Sequence, residues 1–258
     1  MKKINEVDKS KELKTKNLKD KEKILLKSEK IKAREKKIHL LKLSLMIISL
    51  FLIVVYFLLR IFFESGAFAI SLDPEFSKKS GLIMFEKLEE KQSKKILKAE
   101  TLDYMDNISV NWLPENLNDE KDGSHNGDNY LAYTFYLENQ GVDIIDYWYQ
   151  IVIDDVIRNV DRAMRIMVYH NGEKTIYGKL NEYTNSEETG TTAFYSKDKV
   201  VLKERKNFMP GEIDKFTIVI WIEGDDPDCV DELIGGQMKM HMDITEESVS
   251  EDRQNVIN

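Results

Sequence analysis

The sequence predicts a mainly β protein: an antiparallel sandwich, jelly-roll-like or immunoglobulin-like, outside a membrane and preceded by an N-terminal helix and one transmembrane helix. Three observations predict it. Residues 43–59, LSLMIISLFLIVVYFLL, hold no charged side chain. From about residue 103, short runs rich in β-branched and aromatic residues recur with turn signals between them. Charge is also divided along the 258 residues: positions 1–42 carry a net +9, and positions 43–258 a net −17.

The basic segment, residues 1–42, comes first. Ile24, Ile31 and Ile38 recur every seven residues, and Leu18 and Leu25 repeat that interval. This fits a short coiled coil, a basic helix on anionic lipid, or a solvated stalk that only sets topology. The span is residues 43–63: seventeen uncharged positions, then Arg60, which can snorkel, then Ile61, Phe62 and Phe63. Crossing a bilayer takes roughly 20 residues. The apolar run covers every face of the helix, which argues against a one-sided core helix. Lys and Arg concentrate before the span, so the N-terminus is expected in the cytoplasm of a single-pass cell-membrane protein. Ala67-Phe68-Ala69 has the small-x-small form that precedes signal-peptidase cleavage. The apolar run is longer than a signal peptide's, and 42 residues are too many before one, so the reading favours an uncleaved anchor.

Residues 64–102 read as a connector, with helix-compatible spacing over 82–98. Residues 103–244 form the outer domain. Strands are expected at 107–112, 130–137, 144–153, 165–169, 174–177, 193–195, 200–203, 216–221 and 237–244. Leu131, Tyr133, Phe135 and Leu137 share one face. Asn171-Gly172 supplies a hairpin turn. Residues 114–129 read as an exposed loop, and 245–258 as an acidic, disordered tail. Between two late strands, Asp226 is a good N-cap, Pro227 suits the first helical position and Gly235 a left-handed C-terminal position. This predicts a short capped helix, with a second insertion at 154–161.

Composition excludes several functions. The acidic outer part argues against nucleic acid as a ligand. Cys229 is the only cysteine, so no internal disulfide is possible; it reads as a small buried hydrophobe. His39, His125, His170 and His241 have no zinc-ligand spacing, and there is no H-E-x-x-H, G-x-S-x-G, phosphate loop or dinucleotide fingerprint. No enzyme, catalytic residue or organic cofactor is therefore expected. Calcium is the one ligand the residues point to, through the hard oxygens of Glu223, Asp225, Asp226 and Asp228. Helix capping already accounts for Asp226 and Asp228. A second set, Asn118, Glu120, Asp122 and Gly123, partly follows EF-hand spacing. It begins with Asn and has Asn129 where a bidentate Glu belongs.

WIEGDDPDC and DELIGG at 221–236, KMHMDI at 239–244, and the runs 130–141 and 146–169 carry a resemblance. Over roughly residues 70–245 the chain resembles a group of membrane-anchored or exported β-sandwich proteins of low-GC Gram-positive bacteria. More loosely, a strand ending W-x-E-G-x-D before a capped turn is similar to the camelysin/TasA type. That likeness implies a jelly-roll-like sandwich at the cell surface or in a matrix. The chain departs from that type in its basic tail and uncleaved anchor, and nothing in it supports the zinc protease activity the camelysin label carries. The expected function is a surface protein whose outer sandwich binds another protein or itself, with membrane lipid contacted by residues 43–63 and the basic tail. The rivals are a sensor relaying ligand binding to that tail and a hydrolase with an unrecognised site.

Overall fold

A computed structural model describes Arg34, residues 36–57 and residues 68–246. The chain divides into two units, Met1–Glu64 and Ser65–Asn258. The heptad positions before Arg34, residues 58–63 of the expected span, Ala67 and the tail beyond Glu246 lie outside the described residues.

In the first unit, helix α1 (Lys36–Phe57) has 22 residues, none of them buried. At 1.5 Å per residue it is about 33 Å long, enough to cross a bilayer. Lys36, Lys37 and Lys42 lie in its first turns, so the helix begins inside the basic segment.

The second unit is a two-sheet β structure. Its elements are β1 (Ala69–Leu72), α2 (Pro74–Ser80), β2 (Leu82–Phe85), β3 (Ile96–Lys98), β4 (Asn107–Ile108), β5 (Gly123–Ser124), β6 (Tyr130–Asn139), β7 (Ile145–Ile157), β8 (Met164–His170), β9 (Glu173–Gly178), β10 (Thr192–Ala193), β11 (Lys199–Phe208), β12 (Ile213–Glu223) and β13 (Gln237–Thr245). One sheet has the order β11-β7-β13-β1-β3. The other runs β10-β9-β8-β12-β6-β2, with β4 beside β12 and β5 beside β6.

Alternation builds the core between the sheets. Leu131, Tyr133, Phe135 and Leu137 of β6 are buried on the inner face as their spacing predicts, and Phe216, Ile218 and Ile220 of β12 meet them. Phe216 stacks on Phe135 at 5.2 Å between centroids and meets Tyr149 of the facing sheet edge-on at 5.1 Å. Each such fully buried side chain contributes about 1.5–3 kcal/mol. The alternate residues of β12, Val219 and Trp221, enter a second, smaller cluster with Ile108, Leu113 and Leu117. The Asn171-Gly172 hairpin forms as expected, both residues having positive φ.

Several expectations are corrected. Residues 82–98 are not a helix: β2 buries Leu82, Met84 and Phe85 completely against β6, and a turn leads to β3. The charged residues 86–95 that gave helical spacing occupy that turn. The connector is therefore part of the fold, and Phe68, Ile70 and Leu72 belong to its core. It also contains α2, whose start is fixed by Asp73 accepting from the Glu75 and Phe76 amides at 2.8 Å. Gly81 ends α2 at φ 76°, and a Cβ there would meet Gly141 N at 2.6 Å. The sheets are not purely antiparallel: β1–β13, β9–β10 and β4–β12 are parallel pairs. Nor is the 114–129 loop solvated throughout. Leu117 and His125 are buried, and the loop covers the outer face of the second sheet. Strand β7 runs through the expected 154–161 insertion as far as Ile157, leaving one 3-10 turn at Val160–Arg162. The late capped helix is only a 3-10 turn at Asp231–Leu233, with Gly235 left-handed at φ 76°.

Candidate functional site

Strands β8 and β12 bring Arg165 and Trp221 to the start of the 223–236 loop. The loop is acidic, and its carboxylates are distributed by the donors they meet. Arg165, 3% exposed, donates to Asp226 Oδ2, and both side chains are buried. Asp226 Oδ1 accepts from the Asp228 amide at 2.7 Å, so both oxygens are committed. Asp226 thus makes the cap-type bond expected of it with one oxygen and pairs with the buried Arg165 guanidinium with the other, although no helix follows at 227. Glu223 accepts from Trp221 Nε1 at 3.0 Å and from the Val110 amide at 3.1 Å. Asp225 accepts from Ser109 Oγ at 2.5 Å.

The four proposed calcium ligands thus divide into two groups. Glu223 and Asp225 hold the 109–112 turn. Asp226 and Asp228 approach Glu188 instead, and these three carboxylates have oxygens within 4.8 Å of one another. Sequence spacing could not reveal Glu188, which arrives from a loop some forty residues away. Asp228 accepts from the Glu182 amide at 3.2 Å and Glu188 from Asn181 Nδ2 at 2.7 Å, leaving each one further oxygen. The trio can offer a divalent cation few uncommitted atoms, fewer than the six to eight oxygens calcium takes. The EF-like set does not gather. Asp122 accepts from Tyr136 OH at 2.6 Å and the Leu88 amide at 3.0 Å, and Asn129 accepts from the Asp106 amide.

These contacts converge four segments on one end of the sandwich. Ser109 and Val110 join the loop through Asp225 and Glu223, residue 182 through Asp228, and Arg158 by donating to the Ile234 carbonyl at 2.6 Å. Tyr104, Trp112, Tyr183 and Ile234 stand exposed there, at 72%, 75%, 84% and 67%. Cys229 is half-buried, a correction to its expected burial. Burial pushes its thiol up, and the Asp226, Glu223 and Asp106 carboxylates add to that. It makes no hydrogen bond to a histidine among the described residues. Behind this end lies a cavity of about 150 Å³, lined by Phe68, Leu102, Met105, Met164, Met238 and Met240 among others.

The opposite end carries a second polar centre. Asp214, fully buried, accepts from Tyr147 OH at 2.5 Å, Asn171 Nδ2 at 2.7 Å and Arg205 Nε at 3.1 Å, and lies 3.2 Å from His170 Nε2. Burial alone would raise its carboxyl; hydrogen bonds with His170, Tyr147 and Asn171 outweigh it and hold the group at about 2. His170 stacks on Phe216 at 4.4 Å. Tyr147 and Arg205 come from one sheet and His170, Asn171 and Asp214 from the other side, so the network ties the sheets together. On the outer face of the first sheet, His241 lies between Asp243 (3.1 Å) and Asp154 (2.9 Å), which raise it to about 9 against the effect of burial. A histidine protonated at neutral pH is no general base.

No protein-family model matches the chain, and no curated protein matches it. Among solved structures, a β-glucosidase from Kluyveromyces marxianus in complex with glucose is similar over 67% of this chain and 16% of its own, at 12% identity and TM-score 0.23. The selenomethionine-labelled form of that enzyme is similar over 67% of this chain and 18% of its own, at 13% identity and TM-score 0.25. The chain spans about a sixth of that enzyme's length, and a likeness this weak carries no argument about fold or activity.

Proposed function

We propose that the chain is a single-pass cell-membrane protein, N-terminus in the cytoplasm, whose outer sandwich is a non-enzymatic binding module for another protein or for a second copy. One observation carries this reading: Tyr104, Trp112, Tyr183 and Ile234, all more than 65% exposed, stand at the end where part-buried hydrogen bonds tie the 109–112 turn and residue 182 to residues 223–236. Exposed aromatic side chains on a braced scaffold suit protein recognition. The orientation rests on the Lys and Arg that precede α1. Chain-distant strands side by side, β1 with β13 and β6 with β12, favour the jelly-roll-like form of sandwich.

A binding role is also favoured over catalysis by how the ionisable groups are used. Asp226, Glu223 and Asp214 hold the backbone, the loop or a buried cation, and His241 is held protonated. Strand addition at an edge is disfavoured. The long edge strand β11 carries Lys203, Arg205 and Lys206 and has two register shifts, features that protect edges from pairing.

A photo-crosslinking side chain at Tyr183, in the full chain in its native membrane, tests the reading. The expected result is a discrete protein adduct at Tyr183 and none with the same probe at Val142, which is 90% exposed on the opposite end. Equal adducts at both positions, or none at either, would count against it.

A further inference from the structure

We infer that the occupant of this loop end is a cationic polypeptide segment, rich in lysine or arginine and carrying an apolar side chain; this rests on the protein-binding reading above. Residues 100–112, 181–190 and 223–236 together contain twelve Asp or Glu and no Lys or Arg. Asp103, Asp231 and Glu232 among them are exposed. Two of the three neighbouring arginines are already paired with carboxylates. Arg165 is buried on Asp226, Arg162 pairs with Glu182 at 2.6 Å, and Arg158 donates to a carbonyl. Among the described residues Arg158 keeps its charge, but the twelve acidic residues outweigh the cations beside them, so the surface is net negative and a complementary partner is positive.

The aromatic residues point the same way. Tyr104, Trp112 and Tyr183 are exposed within the same acidic segments, and a lysine or arginine gains from aromatic and carboxylate groups at once. The cavity of about 150 Å³ behind residues 101–105 is lined mostly by apolar side chains, four of them methionines, which adapt to the shape of an inserted side chain. An anionic bilayer would be repelled by this face.

Deca-lysine titrated into the full chain in uncharged detergent tests the assignment. Binding is expected, weakening at least tenfold from about 50 to 500 mM salt as screening shortens. The double variant Asp231→Asn/Glu232→Gln is expected to weaken it about tenfold, at the upper range for exposed charge pairs. Asp143→Asn/Glu173→Gln, equal in charge change but at the opposite end, is expected to leave it unchanged. Trp112→Ala/Tyr183→Ala should weaken binding several-fold with stability intact. No binding, or equal loss in the two charge-matched variants, would overturn the inference. So would quenching by shallow brominated phosphatidylcholine in a reconstituted Trp148→Phe chain that is absent from the Trp112→Phe/Trp148→Phe chain, which would put lipid on this face. A Tyr183 adduct without deca-lysine binding would remove the cationic partner and leave the protein-binding role standing.

Discussion

The two ends of the sandwich each contain a buried carboxylate held by an arginine, yet they differ in everything around it. At the Asp214 end, donors come from both sheets, and the surrounding loops mix charges that pair among themselves, as Arg205 does with Glu212 at 2.6 Å. Exposed apolar residues occur there too, Val142, Ile144 and Met209, but all are aliphatic. At the Asp226 end, the ion pair braces a loop whose Asp225, Asp231 and Glu232 are exposed at the same end as two tyrosines and a tryptophan. Apolar exposure alone therefore does not distinguish the ends. One-signed charge combined with aromatic exposure does, and it separates an end that closes the sandwich from an end that displays a surface.

Removing either buried carboxylate should have the largest effect. Asp226→Ala leaves Arg165 buried without its counter-charge, and Asp214→Ala leaves the Tyr147 and Asn171 donors without their acceptor, although Arg205 keeps Glu212. Each is expected to lower unfolding free energy by about 3–5 kcal/mol in urea titrations of the full chain in detergent. If Asp226→Ala cost under about 1 kcal/mol, the loop would not be braced as described.

Acid sharpens the same contrast. The Asp214 carboxyl is depressed in the folded state, so its stabilisation is present above the ordinary value near 3.8 and is lost as pH falls through about 2. The loss amounts to about 2.5 kcal/mol. Asp214→Asn should flatten the stability profile between pH 4 and 2, measured by denaturation at each pH. His241 acts in the opposite sense. Its folded value is raised, so its contribution is complete below about 6.5 and falls away as pH rises through about 9. His241→Gln should remove that alkaline slope, a small one because the side chain is a third exposed.

The smallest effects on stability belong to the displayed surface. Trp112→Ala and Tyr183→Ala should each change unfolding free energy by less than about 0.5 kcal/mol. A larger loss would mean that these rings are structural and would blur the difference between the ends.

Much of the β architecture was legible because its signal is local. The inner face of β6, the Asn171-Gly172 turn and the strands flanking it follow from period-two burial and turn chemistry. Residues 82–98 misled because a buried four-residue strand followed by a charged turn has the same spacing as an amphipathic helix. Only pairing with β6, over fifty residues away, decides between them. The parallel pairs are likewise long-range. At the site, the sequence marked 223–228 as unusual but assigned Asp226 to a helix cap. The competing partner, Arg165, is sixty-one residues away in the chain. The exposure of Tyr104, Trp112 and Tyr183 could not be read at all, since an aromatic residue in sequence looks like core.

Cys229 offers the most direct test, since it is the only cysteine and lies in the 223–236 loop at the displayed end. Intact cells would be treated with a membrane-impermeant maleimide at about pH 8.5, where more of the raised thiol ionises, and the chain's mass read from isolated membranes. One label on an uncleaved chain is expected, slowed when deca-lysine is present. Labelling only after the membrane is opened, or a product beginning at Ile70, would contradict it.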